Sequence, residues 1–158
     1  MKKTENLSRE QLQRKYHQNL VFNYSEYPTL DHWDFNYRSD NYVKSLIDWL
    51  KRNPDEGIFF YVHIPFCEQL CWFCTCSKFI TKSYEPVKDY MVSLHKEVDL
   101  LFSILNKNQI KLNVKTIYFG GGSPTILNKD DLKIFVDKLK SYFDFSKVNE
   151  FTIETDPR

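Results

Sequence analysis

Short apolar runs and amphipathic stretches alternate along residues 58–158, and no other feature of the sequence restricts the fold as strongly. Three runs rich in aromatic and β-branched residues predict strands, at 58–62, 114–119 and 151–155. The first run is apolar throughout and is expected to be buried on both faces. Between the runs, apolar residues recur every three or four positions and predict two helices, at 87–105 and 129–143. The order βαβαβ predicts an α/β fold with a parallel sheet and right-handed crossovers.

Local signals support both helices. Pro86 is compatible with the first turn of the earlier helix, because a proline there lacks only an N–H group that has no helical partner. Asn128 is the expected N-cap of the later helix, and Asp130 and Asp131 lie in its first turn, where the helix dipole favours negative charge.

Residues 1–57 differ from this pattern, and we expect a helical and irregular extension that precedes a domain formed by residues 58–158. A capping-box pattern that starts at Ser8 predicts a short helix, and apolar residues at helical spacing predict a longer one over 41–52. The aromatic residues between 22 and 37 follow neither period, and we interpret them as packing on an irregular segment.

Charge and hydropathy exclude several kinds of partner. The 158 residues include 22 Lys and Arg and 21 Asp and Glu, which gives a formal net charge of +1. Such a chain has no long-range attraction for nucleic acid or for an anionic membrane, so neither is expected as a partner. The first ten residues lack the apolar stretch of a signal peptide, and no run approaches the ~20 apolar residues of a membrane span. We therefore expect a cytoplasmic protein.

Four cysteines, all of those in the chain, lie within ten residues after the first predicted strand, at Cys67, Cys71, Cys74 and Cys76. Disulfides among such close thiols would close only short loops, whereas close-set thiols in a reducing compartment indicate metal or redox chemistry. Thiolates at three corners of a 4Fe–4S cube would leave the fourth iron open to another ligand. The spacing favours a cluster of this kind.

Two other uses of the cysteines stay open. A structural zinc site usually takes two ligand pairs from separate stretches, and the remainder of the chain offers no second pair. A thioredoxin-like dithiol at Cys71 and Cys74 would leave Cys67 and Cys76 without a role.

A glycine-rich segment, Gly120-Gly121-Gly122-Ser123-Pro124-Thr125, follows the second predicted strand. Ligands of parallel sheets bind beyond the carboxyl ends of the strands, where this segment, the cysteines and Glu154 are all expected. Taken alone, the glycines are equally explained by a tight turn. Glu154 alone is equally explained as a solvated carboxylate at a sheet edge.

The chain resembles the radical S-adenosylmethionine enzymes in three motifs: Tyr61-Val62-His63-Ile64-Pro65-Phe66-Cys67, the cysteine spacing and the glycine segment. Phe73, Cys76 and the closing sequence Ile153-Glu154-Thr155-Asp156-Pro157-Arg158 are similar to one family among them, the oxygen-independent coproporphyrinogen III oxidases. The resemblance extends from the region of Tyr24 to the last residue.

The resemblance implies a role for each matching residue. Cys67, Cys71 and Cys74 would hold a 4Fe–4S cluster whose fourth iron binds the amino and carboxylate groups of S-adenosylmethionine. Four residues match positions that contact this S-adenosylmethionine: Tyr61, Phe73, Gly121 and Glu154. Gly122 and Ser123 match contacts to the second S-adenosylmethionine of the family. Cys76 matches an additional cysteine that is not a cluster ligand, and His63 is expected to support the cluster loop.

These residue types suit such roles. Glycines let backbone amides approach a ligand, an aromatic ring covers an adenine, and a carboxylate accepts hydrogen bonds from ribose hydroxyls. No catalytic residue is assigned.

The reaction implied by the resemblance is the oxidative decarboxylation of coproporphyrinogen III to protoporphyrinogen IX in haem biosynthesis. Reductive cleavage of S-adenosylmethionine would give a 5′-deoxyadenosyl radical that abstracts hydrogen from a propionate side chain. Loss of carbon dioxide and one electron would then leave a vinyl group. The implied partners are coproporphyrinogen III and an electron donor such as flavodoxin or ferredoxin, and a monomer is expected.

Residues 58–158 supply only about half of the (β/α) barrel that the resemblance implies, and their last strand would present an uncovered edge. We therefore expect the first half of a radical S-adenosylmethionine barrel, truncated, with negligible activity of its own. Two alternatives stay open. One is a haem-handling paralogue, although the presence of Cys76 is evidence against it. The other is a non-catalytic iron–sulfur or zinc-binding module.

Overall fold

The computed structural model describes residues 8–16 and 32–157. The chain separates into two compact units, with the boundary between Asn41 and Tyr42. The expected division into domains at residue 58 stays a prediction.

The first unit contains helix α1 (Arg9–Tyr16), which begins as the capping box predicts. The Ser8 N–H donates to Gln11 Oε1 at 2.8 Å, and the Gln11 N–H donates to Ser8 Oγ at 3.3 Å. Residues 33–37 contain a turn in which the Tyr37 N–H donates to the Asp34 carbonyl at 2.9 Å.

The predicted packing of the early aromatic residues is wrong where it is described. Trp33, Phe35 and Tyr37 are exposed, as surface turns usually are. The remaining part of this aromatic segment, residues 22–31, lies outside the described residues.

The elements that follow alternate as the sequence predicts. Helix α2 spans Ser39–Arg52 and buries Ile47 and Leu50. The strands and α-helices that follow, in chain order, are β1 (Ile58–Ile64), β2 (Phe66–Cys67), β3 (Phe79–Ile80), α3 (Glu85–Lys107), β4 (Val114–Gly121), α4 (Lys129–Tyr142) and β5 (Glu150–Ile153). Pro86 lies in the first turn of α3, and the Asn128 side chain caps α4 by accepting from the Asp131 N–H at 2.8 Å.

Strands β1, β4 and β5 form a parallel sheet in the order β1-β4-β5, which confirms the predicted α/β arrangement. Tyr61 of β1 lies opposite Tyr118 of β4, which in turn lies opposite Thr152 of β5. The register therefore places residues from all three strands side by side at one end of the sheet.

The core lies on one face of the sheet, and the prediction that β1 is buried on both faces is wrong. Val62 and Ile64 are buried, whereas Phe59 is 60% exposed and Tyr61 is 47% exposed. Two right-handed crossovers that step across the sheet in the same direction place both connecting helices on the same side. Helices α3 and α4 accordingly cover the face that carries Val62, and the face that carries Tyr61 is open.

A second, two-stranded parallel ladder joins β2 to β3 and closes the base of the cysteine loop. The Phe79 N–H donates to the Pro65 carbonyl at 2.5 Å, and the Thr81 N–H donates to the Cys67 carbonyl at 2.9 Å. Residues 68–78 thus form a loop with fixed ends. No helix in the part of the chain that the structure describes is long and apolar enough to cross a membrane.

Candidate functional site

Three loops meet at the carboxyl ends of the parallel strands, as the topology predicts. The Gly122 N–H donates to the Ile64 carbonyl at 2.9 Å, and the Ser123 N–H donates to the Phe66 carbonyl at 2.8 Å. The Glu154 N–H donates to the Phe119 carbonyl at 3.0 Å. These bonds join the glycine segment to the start of the cysteine loop and align the residue after β5 with the end of β4.

Cys67 ends strand β2, and the other cysteines lie in the loop that follows. Cys67, Cys71 and Cys74 are half-buried, and Cys76 is exposed. The Cys74 N–H donates to the Cys71 carbonyl at 3.2 Å, which turns the chain between these two residues. Burial raises the pKa of the Cys67 thiol, and the charges of Cys74 and Cys71 raise it further. The pKa of Cys76 is also raised, by burial and by the charge of Cys74. Cys67 and Cys76 therefore both lie close enough to Cys74 for its charge to act on them.

The cysteine segment supplies three half-buried thiols as possible metal donors. Within residues 8–16 and 32–157, no group of three or more His, Cys, Asp or Glu side chains is close enough to hold one metal ion. Thiols are the donors that iron–sulfur clusters take, so the chemistry of these side chains fits such a group.

Glu154 lies directly after β5 and is held at both carboxylate oxygens. The Tyr118 hydroxyl donates to Oε1 at 2.9 Å, and the Gly121 N–H donates to Oε2 at 3.0 Å. Gly121 has a φ of 114°, a conformation that favours glycine because side chains are strained there. The glycine thus lets the backbone of the turn present its N–H group to the carboxylate.

His63 occupies the space beside Gly121. A Cβ added to Gly121 would lie 2.6 Å from His63 Cε1, so only glycine fits against the imidazole. His63 Nδ1 and the Tyr61 hydroxyl are hydrogen-bonded at 3.0 Å, and the Tyr90 hydroxyl donates to the His63 carbonyl at 2.6 Å. His63 therefore links the open face of β1 to helix α3 and to the glycine turn.

Gly122 permits a second close approach. A Cβ there would lie 2.7 Å from the Phe66 carbonyl oxygen and 2.9 Å from Cys67 Sγ. Beyond it, Ser123 and five other residues line a cleft of about 250 Å³: Glu68, Gln69, Thr125, Ile126 and Asp156. The glycine segment thus packs against the cysteine loop and also borders an open cleft.

The structure brings three of the predicted S-adenosylmethionine contacts together and leaves one apart. Gly121 is bonded to Glu154, and the charge of Glu154 contributes, after burial, to the raised pKa of Tyr61. Phe73 belongs to the cysteine loop but is 87% exposed, so no neighbouring side chain covers it. The roles of these residues in binding stay predictions.

Tyr118 is a site residue that reasoning from the sequence missed. A signal for it was present, because Tyr118 precedes Gly120 by two positions and so shares a face with it in a strand. Its contact with Glu154 depends also on the pairing of β4 with β5, which the sequence pattern does not specify.

No family model matches the chain. The chain is 34% identical over 134 residues to the oxygen-independent coproporphyrinogen III oxidase of Mannheimia haemolytica, a match that covers 85% of this chain and 86% of that protein. It is 31% identical over 135 residues to the enzyme of that name from Escherichia coli, covering 85% of this chain but 28% of that protein.

A solved structure gives the same relationship. The chain superimposes on coproporphyrinogen III oxidase from Escherichia coli, described as a radical SAM enzyme, with a TM-score of 0.72 at 29% identity. The match covers 86% of this chain and 30% of that one. The chain thus spans less than a third of the length of these Escherichia coli relatives.

Proposed function

The chain belongs to the oxygen-independent coproporphyrinogen III oxidase family, and on that premise we propose that Cys67, Cys71 and Cys74 hold a 4Fe–4S cluster that binds S-adenosylmethionine. The observation that carries the proposal is the position of the half-buried Cys67, which lies beside Gly122 at the carboxyl ends of the parallel strands. Cys71 and Cys74 follow on the adjoining loop, close enough for their charges to act on Cys67. The reaction served by this site is the oxidative decarboxylation of coproporphyrinogen III to protoporphyrinogen IX.

A cluster held by Cys67, Cys71 and Cys74 would supply one-electron reducing chemistry to a bound S-adenosylmethionine. The protein side chains would hold the cofactor in position. Glu154 would accept hydrogen bonds from the ribose, because a carboxylate has about four acceptor positions and the described residues donate two bonds to it. The open face of β1, with Tyr61, would cover part of the ligand.

The remaining predicted contacts follow from the same arrangement. Ser123 and the nearby backbone of Gly122 border the cleft of about 250 Å³, a suitable position for the second S-adenosylmethionine. Phe73, 87% exposed, would gain a neighbour if an adenine ring lay against it. Cys76 stays outside the ligand set, since it is exposed and the three other thiols are half-buried.

We also propose that the sheet is part of a radical S-adenosylmethionine barrel. The open face of the sheet supports this, because a barrel places one face of its strands toward an interior lined with side chains. The structural match to the Escherichia coli enzyme supports it as well. A cytoplasmic location, a flavodoxin or ferredoxin as electron donor, a monomeric state and negligible activity of this chain alone remain predictions.

Anaerobic reconstitution with iron and sulfide tests the cluster. Wild type, Cys71→Ser and Cys76→Ser would be compared for bound iron and for the absorption change on adding S-adenosylmethionine. We expect wild type and Cys76→Ser to bind similar amounts of iron and to respond to S-adenosylmethionine, and Cys71→Ser to lose both properties. Equal losses in the two variants would contradict the assignment of the ligands.

The same preparation distinguishes the alternatives. One zinc per chain with no iron after reconstitution would indicate a zinc module. A cluster that gives no response to S-adenosylmethionine would indicate a non-catalytic iron–sulfur module. Either result would contradict the proposed reaction.

A further inference from the structure

We infer that Tyr118 is a positioning residue that fixes the Glu154 carboxylate for recognition of ribose hydroxyls. The inference rests on the proposed function, because it assumes that Glu154 binds S-adenosylmethionine. It adds a residue that lies in neither the cysteine motif nor the glycine motif.

The sheet register explains how Tyr118 reaches Glu154. Tyr118 in β4 lies directly opposite Thr152 in β5, and Glu154 follows Thr152 by two residues. Residues two apart along an extended chain project from the same face, and a long side chain reaches a diagonal neighbour. The tyrosine hydroxyl consequently meets Glu154 Oε1 at 2.9 Å.

The second carboxylate oxygen is held by the backbone. The Gly121 N–H donates to Glu154 Oε2 at 3.0 Å, so one donor lies at each oxygen. Two donors at separate oxygens restrict rotation of the carboxylate about its terminal bond. The remaining acceptor positions then point in a fixed direction, which a pair of adjacent hydroxyls on a ribose can satisfy.

Tyr118 is itself held in place by its neighbours. Its ring stacks on Tyr61 with centroids 6.0 Å apart and an interplanar angle of 24°, and it lies 6.0 Å from the Phe59 ring. Gly120 leaves room for this pair, since a Cβ there would lie 2.9 Å from Tyr118 Cε1 and 3.0 Å from Tyr61 Cε2. The position of the Tyr118 ring, and with it the hydroxyl, is therefore fixed by contacts that do not involve Glu154.

A purely structural role predicts a different behaviour. If Tyr118 only stabilised the sheet, removal of its hydroxyl would lower stability and would affect all ligands alike. If Tyr118 positions Glu154, the loss depends on the ribose hydroxyls and on Glu154 itself.

The test compares Tyr118→Phe with Tyr142→Phe. Both substitutions remove a hydroxyl that donates to a carboxylate, but Tyr142 bonds Asp99 at 2.5 Å between α3 and α4, away from the site. The probes are S-adenosylhomocysteine and its analogue that lacks both ribose hydroxyls, titrated by calorimetry into the anaerobically reconstituted chain.

We expect Tyr118→Phe to raise the Kd of S-adenosylhomocysteine by about fivefold, the effect of one hydrogen bond of roughly 1 kcal/mol. The same variant should bind the analogue within about twofold of wild type, because the analogue makes no bond to Glu154. Tyr142→Phe should leave both constants unchanged. In a Glu154→Ala background, Tyr118→Phe should produce no further loss, since the two residues act as one unit.

The outcomes distinguish failure of the inference about Tyr118 from failure of the proposed function. Suppose that wild type binds S-adenosylhomocysteine more tightly than the analogue and that Tyr118→Phe binds both with unchanged affinity. This result would overturn the inference and leave the proposed function intact. Equal losses for both probes in Tyr118→Phe would overturn it too, in favour of a structural role. Wild type that binds neither probe would contradict the proposed function, and the ligand role of Tyr118 would fall with it.

Discussion

Replacement of Gly121 by alanine tests how the glycine turn is built. At this position φ is 114°, and an added Cβ would lie 2.6 Å from His63 Cε1 and 2.8 Å from His63 Nδ1. Two separate costs follow from these values. The backbone conformation strains any side chain, and the new methyl group overlaps an imidazole that is already hydrogen-bonded to Tyr61.

The magnitude follows from these two costs. A left-handed conformation costs a non-glycine residue about 1–2 kcal/mol, and overpacking costs about 1–3 kcal/mol. The lower chain entropy of unfolded alanine offsets about 0.4–1 kcal/mol of this sum. We therefore expect Gly121→Ala to lower the free energy of unfolding by about 2–4 kcal/mol, a large fraction of the stability of an ordinary domain.

Urea denaturation followed by circular dichroism measures this change, and Gly57→Ala is the matched control. A Cβ on Gly57 would meet Lys115 Cγ at 2.8 Å, but that side chain can rotate away, and no left-handed φ adds strain. The control should stay within about 1 kcal/mol of wild type.

A double-mutant cycle separates the two costs. Adding His63→Ala to Gly121→Ala removes the overlap and leaves the backbone strain. The double variant should therefore lose less stability than the sum of the two single losses, by about 1 kcal/mol or more. A Gly121→Ala variant within about 1 kcal/mol of wild type, or strict additivity with His63→Ala, would refute the reasoning.

Three further predictions concern single groups. Asn128→Ala should lower the free energy of unfolding in urea by about 1 kcal/mol, because the α4 cap to Asp131 is lost. Gln109→Gly should raise it by about 0.5–1 kcal/mol, since φ is 56° at this residue after α3. The hydrogen bond to Glu154, and after it burial, raises the pKa of Tyr118. The hydrogen bond therefore stabilises the fold fully below the ordinary tyrosine pKa, and this stabilisation is lost as pH rises through the raised pKa. In Glu154→Gln, the Tyr118 pKa measured by NMR of ring-labelled tyrosine should fall.

The helices and the parallel sheet were predictable because local signals and topology rules agree. Asn128 caps α4 as its residue type and position indicate, and the alternation of strands and helices leads to the parallel sheet. The open face of β1 was not predicted, because a run of five apolar residues does not specify how many of its faces are covered. The two-residue strands β2 and β3 are too short to show a period.

The site was predictable to the extent that motifs and strand ends define it. Gly121 and Glu154 were expected at the same end of the sheet, and the structure joins them by a hydrogen bond. The links made by Tyr118 and His63 were not expected. They depend on the register between neighbouring strands, which no short motif specifies.

The central claim is that three thiolates hold a cluster with one iron open to S-adenosylmethionine. Electron–nuclear double resonance on the reduced, reconstituted chain tests it directly, with S-adenosylmethionine labelled with nitrogen-15 at its amino group. We expect a nitrogen-15 hyperfine coupling that is present in wild type and in Cys76→Ser and absent without the ligand. A reduced cluster that shows no coupling to the labelled amino group would contradict the claim.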